Sequence, residues 1–166
     1  MSIVIQTYQP HDLVSIIEII NYNIQNTTSL YDYNLRTIEH QEQIFQDKLD
    51  KGFPIITAKI DEKIVGFGYY SEFRTRDAYQ YTVEHSVYVD HHFHHKGIGS
   101  ALLDKLIELA QVQNKHVMIG VIDSKNKNSI DFHVKKGFEI VGEMKQIGFK
   151  FNHWLDTTFV QKIINK

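Results

Sequence analysis

One segment of the chain combines groups that could bind an anion with groups that could move a proton. Glu84 and His85 lie in a run of valine and tyrosine, and a loop with four histidines leads from there to Lys96-Gly97-Ile98-Gly99-Ser100. A glycine-rich turn that opens a helix offers backbone N–H groups without intrahelical partners, and the helix dipole favours an anion there. The spacing is typical of a phosphate-binding turn, although glycine also starts many helices that bind nothing.

The turn departs from two common nucleotide-binding motifs, and the composition excludes other chemistry. No Gly-Lys-Ser/Thr follows it, and Leu102 stands where a dinucleotide fingerprint has its third glycine. The chain has no cysteine, which excludes a thiolate nucleophile and a Cys-ligated metal. No carboxylate accompanies the loop histidines at a recognisable catalytic spacing, so we expect an exposed loop and no metal.

Length and charge place the chain among ordinary globular proteins. It has 166 residues, 42% of them hydrophobic and 23% charged, and a net charge of −2. We expect a single domain over residues 1–166, with no global basic field for nucleic acid. The sequence has no apolar run of membrane-spanning length and no basic, apolar leader at its start, so we expect a cytoplasmic protein without a membrane partner.

Hydrophobic periodicity predicts an α/β fold with a mixed central sheet and helices on both faces, a three-layer arrangement. The second helix is expected to turn Ile38, Ile44, Phe45 and Leu49 inward. The strand after the third helix is expected to lie parallel to the strand that carries Glu84. In chain order, the predicted strands are 3–8, 55–60, 64–73, 81–89, 115–122, 138–151 and 154–163. One predicted helix starts at Pro10, and three further helices span 37–51, 97–112 and 126–135.

Three ordered motifs carry a resemblance to a known family. His94-His95-Lys96-Gly97-Ile98-Gly99 is followed by Asn126-Lys127-Asn128-Ser129 and by Gly137-Phe138. This set resembles the GNAT superfamily of acyl-CoA N-acyltransferases, with His94 where the family has Arg or Gln. Thr82 to Val89 and Gly148-Phe149-Lys150-Phe151 are similar to the phosphinothricin acetyltransferase subgroup.

The resemblance implies acetyl-CoA as co-substrate. The pyrophosphate would lie on the N–H groups of the glycine turn, the pantetheine arm and the developing oxyanion would meet the end of the Glu84 strand, and Asn126 would contact the cofactor near the arm. The cofactor-binding residues implied in this way are Val87, Tyr88, Val89, His94, His95, Lys96, Gly97, Ile98, Gly99, Ser100 and Asn126.

The resemblance also implies roles in catalysis. Glu84 would be the base that takes a proton from the acceptor amine, and His133 would relay a proton or protonate the leaving thiolate. His85 points to the opposite face of the strand and is expected to be structural. The expected acceptor wall consists of Tyr31, Phe73, Arg74, Arg76 and Tyr79, with the Arg76 guanidinium placed to pair with an acidic group of the acceptor.

The implied reaction is direct acetyl transfer to the α-amine of a small amino-acid-like acid, such as phosphinothricin or methionine sulfoximine or sulfone. Two alternatives stay open: acetylation of a protein N-terminus or a polyamine, and an acyl-CoA sensor without turnover. Relatives of the subgroup are generally two-fold dimers, so a homodimer is implied as well. The large apolar residues of the C-terminal hairpin, some of which would supply its interface, are Phe149, Phe151, Trp154, Leu155 and Phe159.

Overall fold

The computed structural model describes residues 2–165, and within them seven strands and four α-helices follow the predicted order. The strands are β1 Val4–Thr7, β2 Ile55–Ile60, β3 Lys63–Glu72, β4 Thr82–Val89, β5 Val117–Asp123, β6 Glu139–Lys150 and β7 His153–Ile163. The helices are α1 Leu13–Asn26, α2 Ile38–Asp50, α3 Ile98–Val112 and α4 Lys127–Lys135. Within residues 2–165, no helix is long and apolar enough to cross a membrane.

All seven strands form one sheet in the order β1-β2-β3-β4-β5-β7-β6. Strands β4 and β5 are parallel, as predicted, and the other neighbours are antiparallel. The parallel pairing is short: it runs from Thr82 opposite Val117 to Glu84 opposite Ile119, although both strands continue beyond it. A gap therefore opens between β4 and β5 immediately after Glu84.

Two apolar clusters cover the two faces of the sheet, which confirms the three-layer arrangement. On one face, α3 packs Leu102, Leu103 and Leu106 against Val83 and Met118. On the other face, α1 and α2 surround Phe67 with Ile16, Ile20 and Phe45. Because successive strand residues point to opposite faces, Glu84 lies on the α1/α2 face and His85 on the α3/α4 face.

The expected inner face of α2 is only partly correct. Phe45 is 1% exposed, but Ile38 and Leu49 are 46% and 39% exposed. The inward stripe instead runs through Gln41, Ile44, Phe45 and Lys48, at i, i+3, i+4 and i+7; Gln41 and Phe45 are buried, and Ile44 and Lys48 are half-buried. Gln41 can occupy a buried position because its Oε1 accepts a hydrogen bond from Arg36 Nη1 at 3.1 Å.

Gly66 allows β3 to lie directly under α3. A Cβ atom at this position would be 2.9 Å from the Tyr88 carbonyl oxygen and 3.1 Å from both the Ile98 and Leu102 side chains. Glycine at this position therefore allows close packing against both the β4 backbone and α3. Strand β3, the neighbour of the strand that carries Glu84, can thus lie close to α3 because Gly66 has no side chain.

We expect Gly66→Ala to lower the free energy of unfolding by about 1–3 kcal/mol, because overpacking forces backbone or side-chain shifts. Gly142→Ala is the matched control: it also lies in a strand, and a Cβ there would meet nothing within 4 Å. The control should stay within about 0.5 kcal/mol of the parent. Urea denaturation of the three proteins measures both values, and equal stability of the two variants would contradict the close packing.

Candidate active site

The gap between β4 and β5 leaves backbone groups of β4 without a strand partner. Asp90 N donates to Val65 O on β3 at 2.9 Å, whereas Tyr81 O accepts from Val117 N on the β5 side at 3.2 Å. Since the direction of the backbone groups alternates along a strand, Val87 and Val89 direct theirs toward the gap, and Tyr88 directs its own toward β3. Of the three residues expected to bind the pantetheine arm, Val87 and Val89 therefore have the suitable orientation.

Glu84 lies at the point where the two strands part. Its side chain is half-buried on the α1/α2 face. Burial raises the pKa of the Glu84 carboxyl above its ordinary value, and the positive charges of Arg74 and Lys48 oppose that shift. A carboxyl group with a raised pKa, next to an open cleft, is suited to accept a proton near neutral pH.

Lys48 belongs to this site, and the sequence analysis missed it. Its Nζ lies 4.5 Å from the centre of the Tyr69 ring, beside Glu84 on the same face of the sheet. Burial lowers the pKa of Lys48, while the carboxylate of Glu72 opposes this. The helical spacing of Lys48 from Gln41, Ile44 and Phe45 was the signal that could have placed it on the inner face of α2.

His133 lies on the other face of the sheet, buried against His85. The two Nε2 atoms are 3.1 Å apart, and the rings are stacked with centroids 5.0 Å apart. His133 Nδ1 is 2.6 Å from the carbonyl oxygen of Ser129, which can only accept a hydrogen bond. In its neutral form, His133 thus gives its N–H to Ser129 and presents a lone pair to His85.

In this arrangement the neutral His133 ring has no N–H free for a thiolate, and its proton-relay role stays a prediction. Burial lowers the pKa of His133, and the Ser129 carbonyl opposes the shift only in part. Burial also lowers the pKa of His85 to about 3, with His133 adding to the effect. Both shifts favour the neutral form of the ring.

The glycine turn has the geometry expected for an anion site. Gly97 is the N-cap of α3 with φ of 81°, and His95 also has a positive φ of 62°. Hydrogen bonding begins with Ala101 N to Gly97 O at 3.0 Å, so the amides of Ile98, Gly99 and Ser100 precede it. His94 and Lys96 are exposed beside the turn, with His94 Nε2 3.2 Å from Val89 O.

Asn126 is the N-cap of α4. Its Oδ1 accepts a hydrogen bond from Ser129 N at 3.1 Å. Because the cap uses Oδ1, the Nδ2 group is the part of this side chain left to contact a ligand. The residue follows β5 closely, so it lies at the far end of the gap from Glu84.

The structure divides the expected acceptor wall into two groups. Phe73, Arg74, Arg76 and Tyr79 belong to the β3–β4 connection, where Phe73 packs edge-on against Tyr79 and the Arg74 guanidinium lies 5.1 Å from the Phe73 ring. Of these residues, Arg74 is close enough to Glu84 to lower its pKa. Arg76 is exposed and precedes a short 3-10 turn at Asp77–Tyr79.

Tyr31 lies in the separate α1–α2 loop, which is docked onto β6 and β7. Its hydroxyl is 2.9 Å from Thr157 Oγ1, and Gly148 makes room for its ring, since a Cβ there would be 2.7 Å from it. Lys150 Nζ fastens the same loop by donating to the carbonyl oxygen of Thr27 at 2.8 Å. The residues expected to form the acceptor wall thus come from two separate loops, and the wall stays a prediction.

The histidine loop does bring a carboxylate and two imidazoles together. Asp90, His91 and His92 place ligand atoms within 4.8 Å of one another, a proximity that their spacing in the sequence did not indicate. Asp90 Oδ1 already accepts from His92 N at 3.0 Å, and Oδ2 lies 3.5 Å from Lys63 Nζ. His91 stacks on Tyr22 with a ring separation of 3.7 Å. These contacts are those of a loop folded against α1.

Removal of the Lys48 charge should raise the pKa of Glu84 further, because the carboxylate loses a stabilising cation. We expect Lys48→Gln to shift the NMR titration of the Glu84 carboxyl carbon to higher pH. Lys51→Gln is the control, since the exposed Lys51 pairs with Glu72 at 2.7 Å instead. Equal titrations in the parent and Lys48→Gln would show that Lys48 does not act on the carboxyl.

Comparison with known proteins agrees with this geometry. The profile described as Acetyltransferase (GNAT) domain matches residues 5–159. The L-methionine sulfoximine/L-methionine sulfone acetyltransferase of Pseudomonas aeruginosa is 39% identical over 151 residues, which is 90% of this chain and 88% of that protein.

Two solved structures share the whole fold. A GNAT superfamily phosphinothricin acetyltransferase from Sinorhizobium meliloti, solved in complex with acetyl-CoA, has a TM-score of 0.95 and 34% identity over 98% of this chain and 89% of that one. A ribosomal-protein-alanine N-acetyltransferase from Brucella melitensis has a TM-score of 0.95 and 36% identity over 96% of this chain and 99% of that one. The chain belongs to the GNAT family and is an N-acetyltransferase.

Proposed function

We propose that this protein transfers the acetyl group of acetyl-CoA to the α-amine of a small amino-acid-like acid. The observation that carries the proposal is the half-buried carboxyl of Glu84, with a raised pKa, at the point where β4 and β5 part. A free amine is mostly protonated below its pKa and attacks only after losing that proton. Glu84 would take the proton directly or through one water molecule.

The cofactor would lie along the gap. The pyrophosphate would bind the amides at the start of α3, with His94, His95 and Lys96 beside it, and the pantetheine arm would pair with the backbone of Val87 and Val89. A backbone N–H of this strand segment would also stabilise the negative charge on the carbonyl oxygen during transfer. With no cysteine available as a nucleophile, we propose direct transfer in a ternary complex.

The acceptor would enter on the α1/α2 face, where Glu84 lies. Two arginines, Arg74 and Arg76, stand on the β3–β4 connection, and a guanidinium can bind a carboxylate or phosphinate through two hydrogen bonds. The relatives that carry phosphinothricin and methionine sulfoximine or sulfone in their names favour an acceptor of this size. A cytoplasmic location and the absence of a resident metal stay predictions.

Two other functions stay as alternatives. Acetylation of a protein N-terminus stays an alternative because the similar Brucella structure is named a ribosomal-protein-alanine N-acetyltransferase. A polyamine acceptor is the other enzymatic alternative. A sensor without turnover would need no base, which the position of Glu84 disfavours. Thiol release with a panel of phosphinothricin, methionine sulfone, methionine sulfoximine, an alanine-initiated peptide and spermidine separates these alternatives.

Glu84→Gln keeps the shape of the side chain and removes the base. We expect kcat with the best amine of the panel to fall by about 100- to 10,000-fold, while acetyl-CoA affinity changes little. Stopped-time assays of thiol release and calorimetry with acetyl-CoA measure the two effects. Turnover at the parent rate at neutral pH would remove Glu84 from the mechanism.

Gly99→Val tests the anion site. A Cβ at Gly99 would be 3.8 Å from Val89 and 4.0 Å from Phe132, so the protein itself has room for a first side-chain carbon. We expect a large loss of acetyl-CoA affinity with a small change in melting temperature, because the added methyl groups occupy the path of the phosphates. Gly99→Ala should show a smaller loss, and unchanged affinity in both variants would place the cofactor elsewhere.

We also propose a two-fold dimer through the C-terminal hairpin. Strand β6 is the edge of the sheet and is exposed along most of its length. Leu155 is buried and Phe159 is half-buried, so these two serve the interior instead. A self-complementary apolar edge is suited to pairing with a second copy. The exposed apolar residues of the hairpin are Ile140, Val141, Met144, Ile147, Phe149, Phe151 and Trp154.

Light scattering at micromolar concentration should give a mass near twice 19.5 kDa for the parent protein. The double variant Ile140→Lys/Ile147→Lys should give the monomer mass, because it buries two charges in the proposed interface. Val14→Lys is the control, since Val14 is 57% exposed on α1, away from the hairpin. A monomeric parent, or a dimeric double variant, would contradict this interface.

A further inference from the structure

The histidine pair has a defined arrangement of protons. Ser129 O accepts from His133 Nδ1–H at 2.6 Å, so the lone pair of neutral His133 is on Nε2. The contact of 3.1 Å between the two Nε2 atoms then requires His85 to donate its Nε2–H. The remaining Nδ1 of His85 is buried and has no partner among the described residues. In the pair, His85 Nε2–H therefore donates to His133 Nε2, and His133 Nδ1–H donates to Ser129 O.

The chain continues to the start of α4. Ser129 takes part with both of its backbone groups: its carbonyl oxygen accepts from His133 Nδ1, and its N–H donates to Asn126 Oδ1 at 3.1 Å. Ile130 and His133 are the two buried residues of α4, so the imidazole is one of two side chains that fasten this short helix to the sheet. Asn126 thus lies in the same hydrogen-bonded series as His85 on β4.

The surroundings show a site built to hold the two rings. Gly120 on β5 faces them, and a Cβ there would be 3.1 Å from His85 Nε2 and 3.6 Å from His133 Cδ2. Phe138 packs edge-on against both rings, at centroid distances of 5.6 and 5.3 Å. The pair lies one residue beyond the last paired position of β4 and β5, which is the narrow end of the gap.

We propose that His85 is a positioning residue for cofactor binding: by donating Nε2–H to His133, it fixes α4 so that Asn126 meets acetyl-CoA in the gap. The proposal rests on the proposed function only in the contact between Asn126 and the cofactor. It gives His85, otherwise a structural core residue, a role in the affinity for one of the two substrates.

The first experiment determines which ring nitrogens of His85 and His133 carry protons. Long-range ¹H–¹⁵N correlation spectra of the histidine-labelled protein at pH 7 should show His133 protonated on Nδ1 and His85 on Nε2, with His85→Gln assigning the signals. Protonation of His133 on Nε2, or a positive charge on either ring, would overturn the proposal. This measurement needs neither acetyl-CoA nor an acceptor.

The second experiment separates positioning from packing. His85→Gln keeps an N–H donor near the Nε2 position, whereas His85→Leu fills space without a donor. We expect calorimetry to show about tenfold weaker acetyl-CoA binding for His85→Leu and near-parent binding for His85→Gln, with the acceptor KM unchanged in both. His116→Leu, at an exposed position before β5, is the control. Equal losses in the two His85 variants, or no loss in either, would overturn the proposal.

The third experiment tests the route through Asn126. If His85 acts on the cofactor through this residue, His85→Leu should weaken binding no further in an Asn126→Ala background. Additive losses would show that His85 acts by another route and would overturn the proposal. Should His85→Leu fail to fold, the proposal is tested by the proton assignments and by acetyl-CoA binding to His85→Gln, which should stay near that of the parent. Binding of acetyl-CoA without turnover on any amine would refute the proposed function and leave all three readouts intact.

Discussion

The early end of the parallel pairing between β4 and β5 is the constraint on which the site depends. A continuous sheet would satisfy the backbone groups of Val87 and Val89 with those of β5, and no ligand could reach them. Because pairing stops at Glu84 and Ile119, the same groups have no partner on β5, and under the proposed function they would pair with an extended ligand. The glycine turn at the start of α3 and the N-cap of α4 then lie on either side of this opening.

Strand alternation divides the chemistry of β4 between the two faces of the sheet. Glu84 points to the α1/α2 face, where Arg74 and Lys48 oppose the effect of burial on its pKa. His85 points to the α3/α4 face, where it meets His133 among apolar side chains. Under the proposals made here, adjacent residues would thus serve the acceptor side and the cofactor side, and a one-residue shift of register would exchange them.

The sequence predicted the order of elements, the parallel pair and the glycine turn, because each can be inferred from local patterns. Hydrophobic periodicity indicated the strands and helices, their order indicated the parallel pair, and the closely spaced glycines indicated the turn. The sequence could not predict that Ile38 and Leu49 are exposed while Gln41 is buried, since Gln41 is held by a hydrogen bond from Arg36 that no periodicity shows. The proton-relay role of His133 was inferred from family resemblance. Its buried contacts to Ser129 and His85 depend on tertiary packing, which no local sequence pattern shows. The separation of Tyr31 from the β3–β4 connection with its two arginines depends on tertiary packing as well.

The central claim is that acetyl-CoA occupies the gap along β4, and amide hydrogen exchange tests it most directly. With saturating acetyl-CoA, the amides of Val87 and Val89, which face the gap, should exchange markedly more slowly. The amides of Ser86 and Tyr88 face β3 and serve as an internal reference, so their exchange should change little. Unchanged exchange at Val87 and Val89 in the presence of bound cofactor would contradict the account.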